Sequence, residues 1–291
     1  MTGWLVALLP LGWLLILAMC ASLLGFGLLQ LFGDVLPMHK AISKLTLILL
    51  LLGVFPLRKM LRLSWTDLGF APPAQFFRQM GLGLLLALAT LLPVLLTLYA
   101  LDVHVWDESR NWTMSKVAGR FGLGLFLALL IGVGEELLFR GLLLSLFRRY
   151  LPLFTAIGLS SLYYAALHFL KSKTPIPYDQ QTISSGFALM EEAFANWLNP
   201  EILSALIALF MVGTFLAVIR ARSPQSLGLC IGCHAGWVWQ IKLSKDLCNV
   251  NPHADYLYLV SSYDGVIGPL VSVWLAAAIL FWIKLKPINQ V

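Results

Sequence analysis

Two glutamates and an arginine interrupt an otherwise apolar stretch near the middle of the chain. The segment reads Gly134-Glu135-Glu136-Leu137-Leu138-Phe139-Arg140-Gly141. An ionisable side chain at the centre of a bilayer costs about 2.5–3.5 kcal/mol on insertion scales. Three such groups in so short a stretch must therefore face protein or water, and they mark a candidate site.

Helical spacing predicts different roles for the two glutamates. Glu136 and Arg140 are four residues apart, so they share a helix face and can form an ion pair. Glu135 is rotated by about 100° from Glu136 and has no cation at the favoured spacing in its own helix. We therefore expect Glu136 and Arg140 to support the helix, and Glu135 to be the carboxylate left free to act as a general base.

Two histidines in later apolar segments are candidates for the same site. His168 ends an apolar run, and Tyr164 precedes it by one helical turn. His234 lies near the middle of another apolar segment, where Gly232 and Gly236 allow close approach of a second helix. A lone histidine often has only a structural role, with its hydrogen bonds satisfied by neighbouring residues. Polar groups within membrane segments, however, are commonly functional.

The residues around His234 also permit two other interpretations. Cys230, Cys233 and His234 spell the C-x-x-C-H pattern of covalent haem attachment. Attachment requires accessible thiols, whereas both flanks of this motif are apolar. A zinc site built from the same three residues lacks an identifiable fourth ligand. Haem and zinc are therefore weaker alternatives.

The composition requires a membrane protein. The chain has 291 residues, of which 59% are hydrophobic and only 12% charged, whereas soluble domains carry about 25% charged residues. One bilayer crossing needs about 20 apolar residues. Apolar segments occupy residues 4–31, 42–57, 81–101, 119–147, 153–170, 202–219, 227–241 and 266–283. The prediction is an all-α polytopic membrane bundle of about eight transmembrane helices, forming a single membrane domain over residues 1–291.

The net charge of +6 comes from basic clusters between these segments rather than from a nucleic-acid-binding stripe. Clusters of this kind mark cytoplasmic connections in membrane proteins. They place both termini in the cytoplasm and the loops 102–118 and 171–201 on the far side; in a bacterium the membrane would be the inner membrane. The basic residues are Arg58, Lys59, Arg62, Arg78, Arg148, Arg149, Arg220, Arg222, Lys284 and Lys286.

Taken together, these motifs resemble those of the CAAX protease and bacteriocin-processing family of intramembrane endopeptidases. The chain carries E-E-x-x-x-R at Glu135, Glu136 and Arg140, then Tyr164 four residues before His168, and then His234. The similarity lies within residues 119–244, and residues 1–118 supply additional N-terminal transmembrane helices.

The resemblance implies an eight-helix bundle that hydrolyses a peptide bond within the membrane. Glu135 and His168 would activate a water molecule, and His234 would stabilise the oxyanion. The substrate would be a peptide or protein, lipidated or anchored in the membrane, in contact with membrane lipids and without nucleic acid. Three polar groups without a clear metal cage predict that no cofactor is needed, with a divalent metal such as zinc as the alternative.

One position departs from the family pattern. An asparagine or aspartate usually follows the third-motif histidine by one turn, whereas this chain has Val238. Loss of one oxyanion donor costs about 10²–10³-fold in rate. Trp237 and Lys242 lie on roughly the appropriate side of an ideal helix. The departure leaves a catalytically inactive binding or immunity scaffold as an alternative. A transporter or proton relay is another, although no inverted repeat is visible.

Overall fold

The structure, a computed structural model, describes residues 3–285 and is dominated by long helices. Each of the eight predicted apolar segments corresponds to a helix, and one further helix lies in the loop 171–201. The helices are α1 (Gly3–Phe32), α2 (Met38–Met60), α3 (Pro73–Ala100), α4 (Met114–Glu136), α5 (Leu144–Tyr150), α6 (Leu153–Leu167), α7 (Ser185–Ala195), α8 (Leu203–Arg222), α9 (Leu227–Leu247) and α10 (Pro269–Leu285).

The fold is a helical membrane bundle, as predicted. Five helical stretches in the described range are long and apolar enough to cross a bilayer: Gly3–Phe32, Met38–Met60, Pro73–Ala100, Met114–Tyr150 and Pro200–Arg222. Helices α6 and α10 are apolar but shorter, and α9 is buried along most of its first half. Length and hydropathy thus support five of the eight predicted crossings. Lys286, the last of the predicted cytoplasmic basic residues, lies outside the described residues.

A π-helix, Leu137–Leu143, joins α4 to α5, so that Met114–Tyr150 forms one continuous helix of 37 residues. Its wider turns follow directly after the two glutamates and contain Arg140. Segments of π-helix inside α-helices are rare and occur frequently at functional sites. The i,i+4 spacing in the sequence predicted a regular α-helix here, so the π-helix was not predicted.

Helices α3 and α9 pack with their backbones in close contact. A Cβ atom on Gly232 would collide with the carbonyl of Met80, and one on Gly236 would collide with Ala87. The predicted close approach at these glycines is therefore confirmed. The Trp237 indole also donates to the Thr90 hydroxyl at 2.8 Å. These contacts fix the position of α9, the helix that carries His234.

Helices α1 and α2 form a pair that packs on α7 and on the π-helix. Leu29, Met38 and Leu189 form a small apolar core among α1, α2 and α7. Val54 and Leu142 belong to a second core between α2 and the π-helix. The pair therefore closes one side of the helix that bears Glu135.

A two-stranded antiparallel sheet connects the ends of α3 and α9. Strand β1 (His104–Trp106) pairs with β2 (Cys248–Val250), with His104 opposite Val250. The His104 ring also bonds through Nε2 to the carbonyl of Gly265 at 2.8 Å. This bond holds the loop before α10 over the bundle. Strands of three residues are too short to give a periodic sequence signal, so the sheet was not predicted.

Candidate active site

The Glu136–Arg140 ion pair predicted from helical spacing is present and almost fully buried. Arg140 Nη1 donates to Glu136 Oε1 at 2.9 Å, and the two side chains are 1% and 0% exposed. Arg140 also donates from Nη2 to the Gly213 carbonyl at 3.2 Å, and its guanidinium lies 4.3 Å above the Tyr164 ring. The pair therefore ties the π-helix to α6 and α8.

Glu136 has a second partner that the sequence did not reveal. Its Oε1 atom lies 2.7 Å from His234 Nδ1. Because a carboxylate can only accept, the imidazole proton on this side belongs to Nδ1. The opposite nitrogen, Nε2, lies 3.8 Å from Glu135 Oε2. Glu136 thus sets both the tautomer and the orientation of His234.

His168 presents the same nitrogen to Glu135. The residue follows the last turn of α6, and its Nδ1 atom lies 2.7 Å from the Tyr164 carbonyl. Since a carbonyl can only accept, Nδ1 again carries the proton, and Nε2 lies 3.8 Å from Glu135 Oε2. The Tyr164 ring packs edge-on against both imidazoles, with centroid distances of 4.6 Å to His168 and 5.9 Å to His234.

Glu135, His168 and His234 therefore come together from three different helices, with one carboxylate oxygen between two imidazoles. Glu135 Oε2 is buried and has no hydrogen-bond partner within residues 3–285. A separation of 3.8 Å is too long for a direct hydrogen bond. A water molecule can lie about 2.8 Å from both atoms across this separation, so one water can form hydrogen bonds to the carboxylate and to an imidazole at the same time.

Two cavities meet at this carboxylate. The first has a volume of about 260 Å³ and lies among α3, α9 and α10. The second has a volume of about 430 Å³ and lies among α1, α2, the π-helix and α7. Glu135, His168 and Tyr263 line both cavities. Glu135 and His168 therefore face both cavities, whereas His234 lines only the first.

Tyr263 is a site residue that the sequence analysis missed. It lies in the loop before α10, where a single tyrosine in a polar segment gives no functional signal. Burial, with added effects of Asp264 and Glu135, raises the pKa of its hydroxyl to about 12. Tyr263 therefore keeps its proton at neutral pH and remains able to donate a hydrogen bond.

Val238 replaces the Asn or Asp that the family pattern places one turn after the third-motif histidine. Its side chain lines the first cavity together with His234, so an apolar group stands where an amide or acid would be expected. The indole proton of Trp237 is already donated to Thr90. Lys242 also lines the first cavity. Of the two residues considered as substitutes, Trp237 therefore already has its only polar hydrogen engaged.

The two motif cysteines do not reach the site. Cys230 and Cys233 are both 0% exposed, and neither lines either of the two cavities. Both thiols are packed into the core with α8 residues such as Leu216, where a covalently attached haem would not fit. In the part of the chain that the structure describes, no group of three or more His, Cys, Asp and Glu side chains is arranged to hold a metal ion.

Comparison with known protein families agrees with the predicted resemblance. Residues 118–240 match the family model described as type II CAAX prenyl endopeptidase, Rce1-like. The matched range contains Glu135, His168 and His234. Comparisons with curated proteins and with solved structures give no match. Residues 118–240 are thus similar to the Rce1-like type II CAAX prenyl endopeptidases, a family of membrane proteases.

Proposed function

We propose that this protein is an intramembrane endopeptidase of the CAAX-processing type, in which Glu135 and His168 activate the attacking water. The observation that carries the proposal is the position of Glu135 Oε2. This buried atom lies 3.8 Å from the Nε2 atoms of both His168 and His234. A carboxylate between two imidazoles is suited to remove a proton from water and to stabilise the charge that then develops.

The proposed reaction is hydrolysis by direct attack of water. The water gives one hydrogen bond to Glu135 Oε2 and the other to His168 Nε2, which leaves an oxygen lone pair free for the substrate. Its oxygen bonds to the peptide carbonyl carbon while Glu135 takes the proton. Glu135 then delivers this proton to the departing amine as the carbon–nitrogen bond breaks, and the products are a carboxylic acid and an amine.

His234 is placed to stabilise the oxyanion. Its Nδ1 proton is donated to Glu136, so a second proton at Nε2 gives an imidazolium whose charge Glu136 balances. The Nε2 proton then points towards the carboxylate side of the site, where the carbonyl oxygen becomes negative. Tyr263, which keeps its hydroxyl proton, is available as a second donor in place of the missing Asn or Asp.

We propose that this chemistry runs without a resident metal, because Glu135, His168 and His234 together supply the base and the donor. A divalent ion such as zinc is the alternative. The two are distinguished by elemental analysis of the purified protein and by treatment with a chelator. If the purified protein contains stoichiometric zinc and its removal abolishes cleavage, a zinc-dependent mechanism replaces the metal-free one.

The substrate class that we propose is a peptide or protein that is lipidated or anchored in the membrane. An apolar cavity of about 570 Å³ lies among α1, α2, the π-helix and α6. Leu14, Leu50 and Phe139 line both this cavity and the second cavity. A long apolar group can therefore occupy a pocket that continues to Glu135. The positions of the basic clusters support a cytoplasmic location for both termini, in the inner membrane if the source is bacterial.

The decisive experiment is cleavage of a quenched fluorescent peptide bearing an S-prenylated cysteine by the purified protein in lipid nanodiscs. Loss of a general base lowers rates by about 10²–10⁴-fold, so we expect that loss in kcat for Glu135→Gln. His168→Ala should have a similar effect. The control is Glu191→Gln, at an exposed position on α7.

The rival functions predict other outcomes. A binding or immunity scaffold, which Val238 favours, predicts no cleavage by the wild type and whole-cell function that survives Glu135→Gln. A proton relay predicts ion flux in reconstituted vesicles that is lost in the same variant. Cleavage that continues unchanged in Glu135→Gln would end the proposed assignment.

A further inference from the structure

We propose that Asn196 and Trp197 are positioning residues for His168, because together they hold the last turn of α6 in the tightened form that directs the imidazole at Glu135. This inference rests on the proposed peptidase function and extends it to residues that belong to none of the motifs found in the sequence. Both residues begin the 3₁₀ turn Asn196–Leu198, which directly follows α7.

The chain tightens where α6 ends. The backbone N–H groups of His168, Phe169 and Leu170 each bond to the carbonyl three residues earlier, at 3.3, 3.1 and 3.3 Å. Turns of this 3₁₀ type are common at helix ends, but their hydrogen bonds have poorer geometry than those of an α-helix. The backbone that carries His168 therefore gains from any support that comes from outside α6.

The tightened turn determines where the His168 ring points. In a regular α-helix the N–H of residue 168 would bond to the carbonyl of Tyr164, four residues earlier. Here that N–H bonds to Ala165, and the Tyr164 carbonyl accepts the Nδ1 proton of the ring at 2.7 Å. This bond keeps the proton on Nδ1 and leaves Nε2 facing Glu135. A return to α-helical geometry would bring the backbone N–H into competition for the same carbonyl and loosen the ring.

Two side-chain donors support this turn from the segment after α7. The Trp197 indole donates from Nε1 to the Ala166 carbonyl at 2.9 Å, and the Asn196 amide donates from Nδ2 to the Phe169 carbonyl at 2.8 Å. A carbonyl oxygen has two lone pairs, so these bonds add to those that the backbone already makes. The accepting carbonyls lie on either side of His168 in the chain. The backbone before and after the imidazole is therefore fixed to another segment.

The donors can act as a support because α7 is itself attached to its neighbours. A Cβ atom on Gly186 would lie 2.6 Å from the Ser22 side chain, so α7 and α1 are in close contact. Near its other end, Glu192 accepts the Ser172 hydroxyl at 2.6 Å and the Lys173 N–H at 3.0 Å. Helix α7 therefore connects α1 to the loop that follows α6.

The alternative is that these hydrogen bonds only stabilise the fold. A purely structural role predicts that their loss lowers the midpoint of thermal unfolding, while each folded molecule keeps its kcat and the proton on the same nitrogen of His168. A positioning role predicts that kcat falls and the proton is redistributed in protein that remains folded. Peptide cleavage, thermal unfolding and the tautomer of His168 are therefore measured on the same samples.

Three variants remove the donors with little change of shape. Trp197→Phe removes the indole donor but keeps an aromatic ring against Phe194, whose ring centroid lies 5.1 Å away. Asn196→Leu removes the amide at similar side-chain size, and the double variant removes both donors. The matched control is Trp239→Phe, which removes an indole bond of 3.2 Å to the Phe121 carbonyl, away from both cavities at the site.

We expect each single variant to lower kcat about tenfold and the double variant about 10²-fold, because a small misplacement of a catalytic group can cost that much. KM should stay within about twofold, since neither side chain lines either cavity and substrate binding is retained. Asn196→Gln keeps an amide donor and should recover part of the rate, and Trp239→Phe should match the wild type.

Nitrogen NMR of isotopically labelled histidine reports the proton on His168 directly. Spectra are recorded above the pH range in which histidine ordinarily titrates, and the signals of His168 are identified by their absence in His168→Ala. We expect protonation at Nδ1 alone in the wild type and a mixture of both tautomers in the double variant. A double variant with wild-type kcat, or a lowered kcat with the wild-type tautomer, would overturn the inference.

The tautomer measurement does not depend on cleavage, so it separates this inference from the proposed function. A wild type that cleaves no peptide, together with a changed tautomer in the double variant, would refute the peptidase and retain the positioning role. Cleavage that is lost in Glu135→Gln but unchanged in the double variant would retain the peptidase and refute the positioning role.

Discussion

A single oxygen of Glu136 receives both the Arg140 guanidinium and the His234 imidazole, at 2.9 and 2.7 Å. The first contact lies within one helix, and the second joins two helices that are far apart in the sequence. Glu136 therefore acts on the reaction through His234, which it holds with Nε2 facing Glu135 and whose positive charge it balances. It is a positioning residue rather than a catalytic one.

Replacement of Glu136 tests this positioning role. Glu136→Gln should lower kcat by about 10–100-fold, the usual cost of removing a partner that orients a functional histidine. It should also lower the free energy of unfolding by about 3–5 kcal/mol, because Arg140 loses its buried partner. Peptide cleavage and thermal unfolding measure the two effects.

The double variant Glu136→Gln/Arg140→Met separates the two roles. Removal of both charges should recover most of the stability, because replacing a whole buried ion pair is often neutral, but it should not recover the rate. A double variant with wild-type kcat would contradict the positioning role.

The central residues were predictable because the bilayer makes an unpaired ionisable group costly. That rule made Glu135, His168 and His234 candidates, and the family resemblance implied that they share one site. The i,i+4 spacing predicted the Glu136–Arg140 pair. The hydrogen bond between Glu136 and His234 was not predictable, since hydropathy does not fix the rotation of one helix relative to another. Tyr263 was missed because a tyrosine in a loop is not part of a repeating apolar pattern such as a helix shows.

At the scale of elements, the site depends on how closely α9 approaches α3. Gly232 and Gly236 leave no space for a Cβ atom at the contact. Small residues of this kind let helix backbones meet in a membrane, where packing rather than the hydrophobic effect drives association. The sequence predicted this contact face from the glycines, but it did not predict the partner helix.

Gly232→Ala should separate α9 from α3. Its new methyl group would collide with the Met80 carbonyl, and overpacking of this type costs about 1–3 kcal/mol. The shift should also displace His234 and reduce kcat. Gly122→Ala on α4 is the matched control, since a Cβ there meets nothing within 4 Å. A Gly232→Ala protein as stable and active as the control would show that the contact is not needed.

The eight predicted helical segments were predictable because each is a long apolar run, whereas α7 in the loop 171–201 and the π-helix were not predicted. Leu137–Leu143 is seven residues long, and so short a stretch cannot reveal a change from 3.6 to a larger number of residues per turn. The boundaries also shifted where polar residues continue a helix, as in α3, which begins at Pro73 instead of residue 81.

At the scale of the whole molecule, the basic clusters give a testable orientation. Ser109 lies in the loop predicted to face away from the cytoplasm, and Ser223 follows the basic end of α8; both are exposed. In a Cys248→Ser background, Ser109→Cys should react with a membrane-impermeant maleimide in intact cells. Ser223→Cys should react only after the membrane is made permeable. The reverse pattern would invert the proposed topology.

The buried ion pair also has a consequence for how the chain is made. His234 is 98 residues after Glu136, and ribosomes add about 5–20 residues per second. Glu136, in the helix Met114–Tyr150, is therefore synthesised roughly 5–20 s before its partner His234. During that interval Arg140 can neutralise Glu136 within the nascent helix itself. The same arginine that holds the finished site thus lowers the cost of inserting an acidic helix into lipid during translation.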